Sequence, residues 1–160
     1  LGLLGGDLCR TLGGTGDEGR IRGEGAVTFP VDLGSLEADG RRHWFVAHLV
    51  ARNRWWTRAR LAMNSQWLGA WNVAPRGHPN DGLLDTFEVR LSAREALQVR
   101  ARLPLGAHLP HPGILERRRG EVHWTLSAPS RLWLDGERLP GPAVRNLIVR
   151  VEPDALQVVV

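Results

Sequence analysis

Nineteen glycines and ten prolines are spread through 160 residues, and they limit this chain more than any other feature does. In a helix interior glycine costs about 1 kcal/mol relative to alanine, and proline about 3. A sequence punctuated this often cannot sustain a helix bundle or a coiled coil, so short strands joined by tight turns remain. Hydrophobic residues make up 42% of the chain, enough to bury a core, which excludes wholesale disorder. No window approaches the roughly 18 uninterrupted apolar residues of a membrane-spanning helix. A single cysteine, Cys9, forbids an intrachain disulfide and makes a reducing compartment the simpler setting. The chain opens at Leu1 without a methionine, and its true start is expected upstream.

The charge balance is less informative than it looks. The sequence pI of 11.0 suggests a nucleic-acid partner. Yet lysine and tyrosine are absent, all 21 basic residues are arginine, and the net charge is only +4. Almost nothing titrates between histidine and arginine, so a small excess drives the pI very high. The protein is mildly basic.

Along the chain, Leu1–Gly25 is glycine-rich, with a short helix predicted over Asp7–Leu12, Asp7 as its N-cap and Gly13-Gly14 as its stop. Ala26–Asp32 and His43–Arg52 read as strands separated by a turn at Ala38-Asp39-Gly40. In the second, both alternating faces are apolar, which predicts a strand covered on both sides. His78-Pro79-Asn80-Asp81-Gly82 is a dense turn signal, and Leu83–Arg90 reads as a strand. Ser92–Leu103 is the clearest helix, because Ser92 and Glu95 have capping-box spacing. Short strands follow at Val122–Leu126, Arg131–Leu134, Leu147–Val151 and Ala155–Val160, with Asp135-Gly136 as a hairpin turn. The pattern predicts a mainly β chain, an antiparallel sandwich with one inserted helix.

Several chemistries find little support. There is no G-x-S-x-G elbow, and Cys9 has no neighbouring histidine. The six histidines lack zinc-ligand spacing: His43 and His48 are five apart in a strand, and His108 and His111 flank Pro110 in a loop. The stretch Arg52-Asn53-Arg54-Trp55-Trp56-Thr57-Arg58 could pair phosphates and stack bases, or sit at lipid headgroup level. The plainer alternative is an edge strand with inward-packed rings. Arg117-Arg118-Arg119 reads as a solvated loop. Asp81 lies in a turn where carboxylate and carbonyl oxygens can converge, the donor mixture a hard cation takes, although turn formation alone accounts for it. The same holds for Asp135-Gly136-Glu137.

Four segments occur in a telling order. Asn64 precedes Gly69-Ala70-Trp71. Ala74-Pro75 is followed by His78-Pro79-Asn80-Asp81-Gly82-Leu83-Leu84-Asp85. His108-Leu109-Pro110-His111-Pro112 comes next, and Leu132-Trp133-Leu134-Asp135-Gly136-Glu137 ends the series. Together these resemble the C-terminal half of the bacterial diacylglycerol kinase-like lipid kinases, relatives of NAD kinase. The resemblance implies a β-sandwich over residues 26–160 that covers an α/β nucleotide-binding lobe. Residues 1–25 would be a short helical remnant of that lobe, and its G-G-D-G-T loop is expected upstream of Leu1. Gly5-Gly6-Asp7-Leu8-Cys9-Arg10-Thr11-Leu12-Gly13 is similar to the family's second nucleotide motif at Asp7, Arg10 and Leu12.

The resemblance also carries roles. Glu137 would accept the proton of a lipid hydroxyl. Mg²⁺ would be held by Asp81 with main-chain oxygens of His78 and Leu83, and Asp7 would contact the nucleotide. ATP would be the phosphoryl donor, and diacylglycerol or a similar lipid alcohol the acceptor at a membrane surface. The remaining partner would be the protein's own upstream lobe, with no nucleic acid expected and room for a homodimer. The setting implied is cytoplasmic and peripherally membrane-associated, and the isolated piece is expected to be inactive. The competing expectation is a non-catalytic arginine- and tryptophan-rich β module that binds nucleic acid or anionic lipid. A degenerate relative kept as a scaffold is a third.

Overall fold

The computed structural model describes all residues, Leu1–Val160. Two short helices open it, α1 (Gly6–Thr11) and α2 (Glu18–Arg22). Strands β1 (Thr28–Ala38), β2 (Arg41–Phe45), β3 (His48–Arg52) and β4 (Arg58–Met63) follow. A small ribbon, β5 (Trp67–Leu68) with β6 (Trp71–Asn72), precedes β7 (Leu84–Arg90) and helix α3 (Ala93–Arg102). The chain ends with β8 (Ile114–Arg119), β9 (Glu121–Ser130), β10 (Leu132–Leu134), β11 (Glu137–Arg138) and β12 (Val144–Val159). No helix is long and apolar enough to cross a membrane.

These strands form two antiparallel sheets. One has the order β2-β1-β12-β9, the other β11-β10-β3-β4-β7-β8. Leu36, Phe45, Leu49, Ala62, Leu132 and Leu147 fill the space between them. Successive side chains on a strand point to opposite faces. Val50, Leu61, Met63 and Phe87 therefore face outward from the six-stranded sheet, where they bury Val99 of α3 and the ribbon's Trp71. The six-stranded sheet is thus covered on both faces, as the two-sided apolar pattern of His43–Arg52 predicts. That stretch is not one strand, however. It breaks at Val46-Ala47 into β2 and β3, which belong to different sheets.

Helix α3 forms where its capping box predicts: the Ser92 hydroxyl accepts from the Glu95 N–H, and the Glu95 carboxylate accepts from the Ser92 N–H. Asp7 is not the cap of α1; Gly5 takes that place without a side-chain bond. Leu147–Val151 and Ala155–Val160 are one long strand, β12, rather than two. It pairs with β1 from Thr28↔Val159 to Glu37↔Ile148, and the register shifts between Val31 and Leu33. Asp154, with φ 52°, turns the strand at that point. The arginine run 117–119 lies in β8 and not in a loop. The leading segment is docked on the sandwich: Leu8 packs with Val31, Ala47 and Val158, and the Leu3 N–H donates to the Val159 carbonyl at 2.9 Å.

Gly34 of β1 lies opposite Phe45 of β2, whose ring lies flat on its Cα; a Cβ there would meet Phe45 Cζ at 2.1 Å. Gly34→Ala should therefore lower unfolding stability by about 1–3 kcal/mol, the usual cost of overpacking a filled site. Urea denaturation of the two proteins checks this.

Candidate functional site

The two acidic turns singled out by sequence are both shaped by other acids. At the first, Asp32 sits in the β1–β12 irregularity, buried. Its Oδ2 accepts from the N–H groups of Asp81 (3.1 Å) and Gly82 (2.7 Å), and its Oδ1 accepts from Asp154 at 2.9 Å. Its own N–H donates to the Pro79 carbonyl at 2.7 Å. The turn His78–Gly82 is thereby pinned by its backbone, which leaves the Asp81 side chain at the surface.

At the second turn, Asp135 and Gly136 take positive φ (50° and 86°), the geometry of a two-residue hairpin between β10 and β11. The Asp135 carboxylate accepts from the N–H groups of Val46 (2.7 Å), Ala47 (2.7 Å) and His48 (2.9 Å). These three bonds break β2 from β3. Glu137, at the start of β11, is left exposed.

Asn64 joins the two turns. Its Nδ2 donates to the carbonyls of Asp32 (2.7 Å) and Val46 (2.9 Å), and its N–H donates to Ala47 at 2.8 Å. One continuous belt of hydrogen bonds therefore runs from the Asp81 turn through Asp32, Asn64 and Val46-Ala47 to the Asp135 turn. Asp7 attaches to the same belt: its Oδ2 accepts from His48 Nε2 at 2.8 Å and its Oδ1 from the Gly69 N–H at 2.9 Å. The structure thus links Asp7, Asp81 and Glu137 to one backbone frame, although neither Asp81 nor Glu137 lines either of the two principal cavities. Asp32, His48 and the partners of Asn64 have no local sequence signature, because each acts across the fold.

The surroundings of Asp81 bear on a cation. Its Oδ1 accepts from the Leu83 N–H at 3.0 Å and its Oδ2 is paired with Arg118. Arg118 Nε also lies 3.4 Å from Oδ1 of buried Asp85. A hard divalent ion takes several oxygens aimed at one point, and no three His, Cys, Asp or Glu side chains converge in this way anywhere in the chain. With Oδ1 on the Leu83 N–H and Oδ2 on Arg118, the Asp81 carboxylate holds a guanidinium, and a cation at this turn would have to displace Arg118. Burial raises the pKa of Asp85 to about 6; Arg118 opposes the shift, and Glu116 and Asp81 add to it.

A separate feature is an apolar cavity of about 410 Å³ between α3 and the outer face of the six-stranded sheet. Trp56 and Trp71, edge to face at 5.2 Å, wall it with Phe87 and Leu103. Trp55 and Leu97, each 70% exposed, stand at its rim. His108, also lining it, is buried, and burial holds its pKa below the ordinary value.

A double-sheet β domain with a helix laid on one outer face, and an acidic belt along one edge, is the class that these features define. Residues 29–160 match the YegS C-terminal NAD kinase beta sandwich-like domain, and the chain belongs to that family. Three solved structures from Bacillus anthracis str. Sterne share the fold. Two are each described as a "putative diacylglycerol kinase". The first is 14% identical, with a TM-score of 0.70 over 99% of this chain and 68% of its own. The second is also 14% identical, with a TM-score of 0.66 over 95% and 64%. A third, described as a diacylglycerol kinase, is 13% identical, with a TM-score of 0.57 over 82% and 54%. This chain therefore spans between 54% and 68% of those proteins. No curated protein matches it. The relationship to diacylglycerol kinase-like proteins is one of fold.

Two predictions concern the Asp81–Asp85–Arg118 group. Because the folded chain keeps a proton on Asp85 where the unfolded chain has lost it, this residue makes stability fall as pH rises from about 4 to about 6. Asp85→Asn should flatten that decline in urea titrations across the window. Separately, the melting temperature of the wild type should not change between millimolar Mg²⁺ and EDTA, whereas Arg118→Met, with the cation removed, should gain a Mg²⁺-dependent rise.

Proposed function

We propose that this chain is the lipid-facing, base-carrying portion of an ATP-dependent lipid kinase of the diacylglycerol kinase type. The observation that carries the reading is the apolar cavity beneath α3, walled by Trp56, Trp71 and Phe87. A concave, mostly apolar hollow with few polar groups suits an acyl chain better than a sugar or a nucleotide. Family membership supports ATP as the donor, bound mainly by a nucleotide-binding lobe of the same protein, with Asp7 as this chain's contact to the nucleotide.

In this reaction the primary hydroxyl of the lipid attacks the γ-phosphorus of ATP. A new O–P bond forms as the bond to the bridging β,γ-oxygen breaks, ADP leaves, and the hydroxyl proton passes to the Glu137 carboxylate. Glu137 suits the task because it stands free on a hairpin whose backbone Asp135 fixes. Exposed in this chain, it would need the upstream lobe to exclude water before it could act as a base. Mg²⁺, when bound, would offset charge on the phosphates; held at His78, Asp81 and Leu83, it would have to displace Arg118 from the Asp81 carboxylate. The lipid would arrive from a membrane surface on the cytoplasmic side, where Trp55 and Leu97 at the cavity rim suit contact with lipid. A non-catalytic arginine- and tryptophan-rich β module that binds nucleic acid or anionic lipid is the second reading, favoured by a groove lined by Arg52, Arg58, Arg60, Arg90 and Arg131.

In the full-length protein, Glu137→Gln should abolish lipid phosphorylation and leave the melting temperature unchanged; wild-type turnover would remove the base assignment. Ala96→Trp, which fills the cavity, should raise the KM for the lipid without moving that for ATP. A shift in both would show damage to the fold instead.

A further inference from the structure

Between the open end of the two sheets lies a second hollow, a groove of about 660 Å³ lined by residues of β3, β4 and β7 on one side and by Thr125–Arg131 on the other. Its walls carry five arginines: Arg52, Arg58, Arg60, Arg90 and Arg131. The only carboxylate paired with any of them is Glu88, 3.0 Å from Arg60. The excess of four positive charges equals the net charge of the whole chain, +4. The groove is therefore a local concentration of unpaired guanidinium groups.

The position of these side chains is what makes the groove unusual. On β4, Ala62 belongs to the core between the sheets, so Arg60 and Arg58, two and four residues earlier, face the same inter-sheet space. Arg58 lies directly opposite Arg90 in the β4–β7 ladder, and like charges in that arrangement are destabilising. Arg60 has only 13% of its side chain exposed. Its Nη1 donates to the Ala59 carbonyl at 3.1 Å and its Nη2 faces Glu88, but its Nε is buried without a partner. Burial and the charge of Arg90 both favour loss of its proton. Arg52 is held by stacking, 4.7 Å from the ring centres of both Trp56 and Trp133. Ser127 lies along the opposite wall, and the Ser130 hydroxyl donates to the Arg52 carbonyl at 3.3 Å.

We propose that this groove is a binding site for a phosphate-bearing anion, whose oxygens pair with Arg58, Arg60 and Arg90. Planar guanidinium groups match phosphate oxygens in bidentate geometry. An anion here would cancel the repulsion across the Arg58–Arg90 pair. Because Arg52 leans on Trp56, a wall of the apolar cavity, the groove adjoins that cavity across one side chain. The same phosphate chemistry is offered by the headgroup of an anionic lipid and by a free phosphate compound.

The test uses the full-length protein at about 0.15 M salt. Inorganic pyrophosphate is titrated calorimetrically, and vesicles of phosphatidylcholine alone or with a fifth phosphatidate are tested by co-sedimentation. The key variant is Arg58→Ser with Arg90→Ser. It should weaken binding at least about ten-fold, as loss of two charge-assisted contacts does, yet its melting temperature should stay level or rise, because a like-charge pair is gone. A merely structural role for these arginines would lower it. Binding of both probes assigns the site to a lipid headgroup, and binding of pyrophosphate alone assigns it to a soluble phosphate; either supports the proposal. Binding of neither, binding unaffected by the variant, or binding of single-stranded DNA alone overturns it. Glu137→Gln should bind as the wild type does, so failure here and failure of the kinase reading can be told apart.

Discussion

The carboxylate of Asp32 is the interaction on which the edge of this domain depends. Long antiparallel pairing of β1 with β12 would run without interruption but for the bend at Pro153-Asp154, and a bend leaves N–H groups without ladder partners. Asp32 takes the N–H of Asp154 and, with its second oxygen, those of Asp81 and Gly82. A buried N–H left unpaired costs about 1–3 kcal/mol, so one side chain settles three such debts and fixes two separate segments at once. Asn64 then carries the arrangement from the Asp32 carbonyl to Val46, where the Asp135 turn begins.

The consequence is a division of roles between acids. Asp32 and Asp135 spend their oxygens on backbone N–H groups and give the turns their shape. Asp81 and Glu137 sit on those turns with their side chains toward solvent. Their chemistry is set by what faces them: Arg118 for Asp81, and water for Glu137. The arginines divide in a similar way. Some are stacked on indole rings, as Arg10 is over Trp67 at 3.4 Å. Some are paired with acids, as Arg150 is with Glu37 at 3.2 Å. Those gathered between the ends of the sheets have too few acids to pair with. In a chain without lysine every cation is a planar fork that stacks and pairs well, which explains how so many can be held close to apolar surface.

Much of this was legible in the sequence. The Ser92–Glu95 capping box, the Asp135-Gly136 hairpin, the turn at Asp39-Gly40 and the two-sided apolar pattern around Leu49 are local signals, and each appears where it was expected. Less local features were not. The break between β2 and β3 is invisible, because Asp135, whose carboxylate causes it, lies some ninety residues later in the chain. The continuity of β12 through Pro153 and Asp154 depends on Asp32 in the same way. The arginine run 117–119 looks like solvated loop until Asp81 and Asp85 are brought beside Arg118.

The sequence by itself determined the kind of structure: glycine and proline spacing forbids long helices, and alternation of apolar residues demands sheets that bury one or both faces. It also placed acids in tight turns, since Asp-Gly pairs accept the positive φ that those turns require. Only the tertiary structure decided what those acids do, which arginines meet a carboxylate and which face only one another. Electrostatic pairing depends on distance and burial rather than on separation along the chain, and both are set only once two sheets have closed on a common core.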